Sequence, residues 1–249
     1  MCMTIAIHSC KGGTGKTSIG INLSAAYSLL GKNVCFLDFD SKATCFFSPF
    51  NFKSKKWIND VLFGKCSIMD VIHEIDEYDN AGKLYVGLSN PDISAIREIS
   101  MQDRKWQAHA LKLIMNAKRE LVSAGMDVII LDTSPGFDFA SINAVAASDF
   151  VVVLLKPVHS SLRCTEQIVN GVYKLLNKPC GIVENMCHES YFLQPVPTER
   201  FGIPVLTAIP CLCDVAIKSD TQIMTFTEHE HPFSESISNI AGKIMDKLG

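Results

Sequence analysis

The chain has no apolar run approaching the roughly 20 residues that span a membrane, so it reads as a soluble protein. It also has no excess of positive charge. Its 23 Lys and Arg stand against 26 Asp and Glu, a formal net charge of −3. That excludes binding to nucleic acid driven by overall charge and leaves local basic patches open. No linker rich in Pro, Gly and Ser divides it and no internal repeat is visible, so one domain over residues 1–249 is expected. With 47% apolar and 20% charged residues the composition is globular, not disordered. A chain of this length buries roughly three quarters of its unfolded surface and needs neither disulfides nor a metal to fold.

Cysteine, by contrast, is plentiful: ten, at positions 2, 10, 35, 45, 66, 164, 180, 187, 211 and 213. Met1 to Ser9 reads as a strand running into a glycine-rich loop, not as an export signal. The expectation is a cytoplasmic protein with reduced, mostly buried thiols.

Apolar runs suited to buried strands occur at Met3–His8, Asn33–Phe39, Lys83–Leu88, Met126–Leu131, Phe150–Leu155, Cys180–Val183 and Pro204–Ile209. Helical periodicity falls on Ser18–Leu30, Arg104–Ala124, Phe139–Ala147, Cys164–Leu176 and Pro232–Leu248, with short pieces near 57–63 and 67–76. Gly31 and Gly125 close two of these helices. Strands that are apolar throughout, not alternately, are covered on both faces, and strands separated by helices form parallel βαβ units. The expected fold is therefore α/β: a doubly wound, mostly parallel sheet with helices on both faces. Ser41–Ala81 is the least regular stretch, with loops and short helices expected.

After the first strand comes Ser9-Cys10-Lys11-Gly12-Gly13-Thr14-Gly15-Lys16-Thr17-Ser18. The phosphate loop G-x-x-x-x-G-K-[ST] is matched in its second half by Gly15, Lys16 and Thr17, while Cys10 stands where its first glycine belongs. The physics is retained. Glycines let backbone N–H groups curl round an anion, and the helix that follows points its positive end at the phosphates. Lys16 is placed to reach the β- and γ-phosphates of a nucleotide, and the Thr17 hydroxyl to ligate Mg²⁺. Two later strands end in carboxylates: Asp38-Phe39-Asp40, and Asp132-Thr133-Ser134-Pro135-Gly136. Carboxylates at the carboxyl ends of strands sit at the ligand crevice of an open α/β sheet. Asp132 suits the Mg²⁺ shell, and the Gly136 N–H suits a γ-phosphate, so this loop would distinguish ATP from ADP.

The run K-G-G-T-G-K-T resembles the deviant phosphate loop, K-G-G-x-G-K-[ST], of the MinD/ParA ATPases, and the likeness extends from Met3 to Leu248. The resemblance implies that nucleotide-binding residues are Lys11, Gly12, Gly13, Thr14, Gly15, Lys16, Thr17, Ser18, Gly136 and Asn185. It implies that Lys11 crosses a dimer interface to the partner's phosphates, that Asp40 orients the attacking water, and that Asp38 supports the metal beside Thr17 and Asp132. Lys11, Lys16 and Asp40 are then the catalytic set, ATP and Mg²⁺ the cofactors, and an ATP-dependent homodimer with an activating protein the working form. Asn185, in Val183-Glu184-Asn185-Met186, would pair with adenine, since its amide donates and accepts at once. Ser134 departs from the family's commoner proline. Plainer readings stand beside these: a solvated acidic turn at Asp40, a helix cap at Asp132, a turn residue at Asn185.

The implied role is an ATPase switch that positions DNA or a protein complex. The alternative is an ATPase that inserts a metal or cofactor into a client, for which Cys211 and Cys213 are the sequence support, although incidental thiols suit C-x-C better. Lys105, Lys112 and Arg119 share one face of the long helix and offer weak support for DNA contact, a solvated face being favoured. Ser160 or Ser161 is expected to cap the following helix, with Glu166 as partner. His229-Glu230-His231 reads as a solvated loop. The stripe Ile237, Ile240, Ala241, Ile244, Met245 and Leu248 reads as a helix docked on the core, not as a membrane anchor.

Overall fold

A computed structural model describes residues 2–40, 55–78 and 81–248. Its strands are β1 (Met3–His8), β2 (Val34–Phe39), β3 (His73–Ile75), β4 (Leu84–Gly87), β5 (Val128–Thr133), β6 (Phe150–Leu155), β7 (Cys180–Cys187), β8 (Glu199–Arg200) and β9 (Ile203–Pro210). Its helices are α1 (Lys16–Leu29), α2 (Ile58–Leu62), α3 (Ile93–Ser100), α4 (Arg104–Ser123), α5 (Phe139–Ala147), α6 (His159–Ile168), α7 (Cys213–Lys218), α8 (Met224–Thr227) and α9 (Pro232–Leu248).

Among the described residues the strands form one sheet in the order β3-β4-β2-β5-β1-β6-β7-β9-β8. The inner pairs are parallel, whereas the edge pairs β3–β4 and β8–β9 are antiparallel. Because β2 and β5 lie to one side of β1 and β6 to the other, the chain changes direction at β1. A ligand crevice opens beyond the carboxyl ends of the strands at such a point. The loop after β1 stands there.

Every residue of β2, β5 and β6 is buried. Side chains alternate between the two covered faces, as the two-residue strand period requires. Val128 and Ile130 pack with α1 and α9, and Ile129 and Leu131 with α4 and α5. A third cluster packs Ala6, Val151 and Val153 against α6. The docked reading of the last helix holds for Ile237, Ile240, Ala241 and Ile244, all without exposed surface, while Met245 is 37% exposed.

The outer parts differ from expectation. The segment 67–76 holds one 3-10 turn, Ile68–Asp70, and then a strand, not a helix. His73–Ile75 alternates inward and outward, and Glu74 bonds the Lys83 and Tyr85 side chains across the pair. Of the stretch Ser41–Ala81, residues 41–54 and 79–80 lie outside the described ones. The helix expected from Cys164 starts at His159, so Val158 is its capping position, with no side-chain cap. Ser160 and Ser161 therefore fall inside its first turn and form no capping box with Glu166. After Ile168 the helix widens into a π-turn over Val169–Tyr173, where the Lys174 N–H reaches Val169 O at 3.0 Å.

Candidate nucleotide site

Residues 9–15 join β1 to α1 and turn on Gly15, whose φ of +88° only glycine adopts easily. A Cβ there would also fall 2.6 Å from Asn185 Nδ2. That amide donates to Thr14 O at 2.8 Å, so the end of β7 holds the loop from behind. Lys11, Gly12 and Gly13 form the exposed rim, whereas Thr14 and Lys16 are buried. Thr17 and Ser18 open α1 half-buried.

Three carboxylates converge below the loop. Asp38 and Asp132 are register partners on the neighbouring strands β2 and β5. Thr17 Oγ1 donates to Asp132 Oδ2 at 2.5 Å, and the Asp40 N–H donates to Asp38 Oδ1 at 2.8 Å. Asp38 and Asp132 are 1% and 0% exposed, yet Asp38 Oδ2 and Asp132 Oδ1 have no hydrogen-bond partner among the described residues. Burial first, then the neighbouring carboxylates, raises the Asp38 carboxyl well above its ordinary range. Burial lifts Asp132 to about 7 against the pull of the Thr17 hydroxyl and Lys16. Buried carboxylate oxygens left unpaired beside a hydroxyl are a donor set for a hard divalent cation, which takes oxygen ligands. Thr17, Asp38 and Asp132 thus fit Mg²⁺.

Ser134, whose role the sequence left open, donates its hydroxyl to Asp40 Oδ1 at 2.7 Å, and Ser141 Oγ donates to Ser134 O at 2.7 Å. Asp40 is 6% exposed. Gly136, at φ +90°, donates its N–H to Ser9 O at 2.9 Å, so in this conformation that N–H is engaged. Its carbonyl lies 3.0 Å from His8 Nε2. Sequence reading missed His8; a histidine in an apolar strand was the available signal.

Other features fall outside this cluster. Glu184, fully buried, is paired with Arg200 and Tyr191, whose hydroxyl also accepts from Arg200 Nη2 at 3.1 Å. Cys10 and Cys164 form a disulfide with Cα atoms 5.8 Å apart, against the expectation of reduced thiols throughout. Cys211 and Cys213 are exposed free thiols, and among the described residues no three His, Cys, Asp or Glu side chains are arranged to hold a metal, so the Mg²⁺ set above consists of two carboxylates and a hydroxyl. His231 is not merely solvated: Nδ1 accepts the Phe233 N–H at the start of α9, and Nε2 lies 3.0 Å from Asp214 Oδ2. Lys105, Lys112 and Arg119 are exposed on α4. Among the described residues no helix is long and apolar enough to cross a membrane.

Residues 2–182 match the AAA_31 family of AAA domains. An uncharacterised ATP-binding protein of Methanocaldococcus jannaschii is 29% identical over 214 residues, 84% of this chain and 75% of that one. The sporulation initiation inhibitor protein Soj of Bacillus subtilis is 28% identical over 172 residues, 68% of this chain and 64% of Soj. The septum site-determining protein MinD of Pyrococcus horikoshii, solved with Mg-ADP, shares the fold at a TM-score of 0.77 and 22% identity, covering 100% of this chain and 98% of its own. A plasmid partition protein from Borrelia burgdorferi does so at 0.72 and 18%, covering 99% and 100%.

Proposed function

Since the chain belongs to the MinD/ParA family of P-loop ATPases, we propose that it is an ATP-driven switch that dimerises over bound nucleotide to position DNA or a protein complex. The observation that carries this reading is the side-by-side pair Asp38 and Asp132, each with an unpaired buried oxygen, next to the Thr17 hydroxyl at the foot of the phosphate loop. Thr17, Asp38 and Asp132 would hold Mg²⁺, which supplies charge neutralisation between the β- and γ-phosphates when bound.

The chain's own residues supply the rest. The backbone of residues 12–15 and the N-terminus of α1 cradle the phosphates, and Lys16, kept out of bulk water, meets the β- and γ-phosphates at short range. Asp40, held by Ser134, orients the attacking water and leads its proton away from the γ-phosphorus. Lys11, on the exposed rim, reaches the phosphates of the second subunit and stabilises charge on the transferring group. The Gly136 N–H leaves Ser9 O for the γ-phosphate, so loss of that phosphate changes the dimer surface. Asn185 holds Thr14 with its amide and offers its oxygen to the adenine edge.

The test is light scattering with ADP and with ATP, alongside phosphate release, on wild type and Lys11→Ala. Wild type is expected to dimerise with ATP alone, and Lys11→Ala to lose both dimer and turnover. A Lys11→Ala chain that dimerises and turns over normally overturns the shared site. Salt-dependent retention on DNA, compared between ATP and ADP, separates DNA from a protein complex as cargo.

A further inference from the structure

Both backbone groups of Gly136 are held by the strand end that feeds the phosphate loop. The N–H donates to Ser9 O at 2.9 Å, and the carbonyl lies 3.0 Å from His8 Nε2. A carbonyl only accepts, so Nε2 carries the ring proton and Nδ1 is the acceptor. The atom facing Nδ1, at 2.5 Å, is the Tyr173 hydroxyl, which therefore donates. Both side chains are buried and meet edge to face, 5.8 Å between ring centres. Burial also keeps both neutral, pulling His8 down to about 4 and raising Tyr173 well above its ordinary range, so the polarity of the relay is fixed. Tyr173 closes the π-turn after α6, an irregularity frequent at functional sites. A rigid brace thus runs from that turn, through β1, to the loop that meets the γ-phosphate.

We propose that His8 and Tyr173 are positioning residues that hold Gly136 withdrawn, its N–H spent on Ser9, and so set how strongly the site prefers ATP to ADP. This rests on the ATPase reading, in which the Gly136 N–H turns to the γ-phosphate. Because the two bonds belong to one residue, moving the N–H off Ser9 O pulls the carbonyl against His8. Only a nucleotide with a γ-phosphate gains from that movement. ADP binding leaves the brace untouched.

The experiment is calorimetric titration with ADP and with the non-hydrolysable analogue AMPPNP, on wild type, His8→Met, His8→Gln and Tyr173→Phe. His8→Met removes the donor to Gly136 O and is expected to strengthen AMPPNP relative to ADP by about tenfold, the scale of one hydrogen bond. Tyr173→Phe keeps the ring and its packing, so it reads out the brace even if His8→Met does not fold; a shift of about threefold in the same direction is expected. His8→Gln carries an N–H that can replace Nε2 and is expected to restore the wild-type ratio. A wild type that discriminates between the nucleotides, with Tyr173→Phe and His8→Met keeping its ratio or weakening both nucleotides equally, overturns the brace alone. A wild type that binds neither nucleotide overturns the ATPase reading and the brace with it.

Discussion

Ser134 donates its hydroxyl to Asp40 Oδ1 at 2.7 Å, and so links the end of β5 to the carboxylate beyond β2. The bond fixes one oxygen of a carboxylate that is itself 6% exposed. A charge-assisted hydrogen bond of this kind contributes about 1.5–3 kcal/mol. Ser134→Ala is therefore expected to slow single-turnover hydrolysis about tenfold or more while leaving ATP affinity within about twofold, since in the proposed mechanism Asp40 acts on the water and not on the bound phosphates. Loss of affinity with unchanged turnover would place Ser134 in nucleotide binding instead.

His8 gives the fold a defined weakness to acid. Its ordinary value is near 6.5, and in the fold burial pulls it down to about 4. Between these values the unfolded chain takes up a proton that the folded chain refuses, so stability falls as the pH drops from 6.5 toward 4. The contribution lost at the acid end is about 3 kcal/mol, and none is lost above pH 7. Urea unfolding at several pH values checks this: His8→Gln is expected to show a shallower loss than wild type over that window. Equal slopes would remove His8 from the account.

The parts legible in the sequence are those whose signal is local. The phosphate loop, the strand before it and the helix after it form one continuous run, and Asp132 announces itself at the end of an apolar strand. The Ser134–Asp40 and His8–Tyr173 bonds span 94 and 165 residues, and no periodicity reports a partner so far away. The edge strands were missed because three residues at His73–Ile75 and two at Glu199–Arg200 are too short to show alternation. The α6 cap was misplaced because Ser160 and Ser161 have the chemistry of caps, whereas the backbone turns into the helix at Val158, earlier than either. The pairing of Cys10 with Cys164 has no local signature either; ten cysteines allow many pairings.

The Glu184–Arg200 pair sets up an asymmetry. The Glu184 side chain is 0% exposed and that of Arg200 23%, so only the arginine can turn toward water when left alone. Breaking a buried pair costs about 3–5 kcal/mol when it strands a charge inside. Arg200→Met strands the carboxylate and is expected to reach that range, whereas Glu184→Gln leaves a neutral amide that still bonds Tyr191 and should cost about half as much. Thermal unfolding of both variants tests the order, and a larger loss for Glu184→Gln would contradict it.

The Cys10–Cys164 disulfide ties the first residues of the phosphate loop to α6 and closes a loop with a sequence separation of 154. Cross-linking so long a segment restricts the unfolded chain, and on the chain-entropy account removing it costs about 4–5 kcal/mol. Dithiothreitol is expected to lower the unfolding midpoint of wild type, whereas Cys164→Ser should start from the lower midpoint and show no response. The fold places Cys10 nearly out of solvent, at 9% exposure, so reduction should need a small reagent or partial opening. Peptide mass analysis of the unreduced protein supplies the direct check: a linked pair containing Cys10 and Cys164 is expected. Free thiols at both positions, with the same midpoint in the presence and absence of dithiothreitol, would show that the two sulfurs pack side by side without a bond and contribute only as small apolar groups.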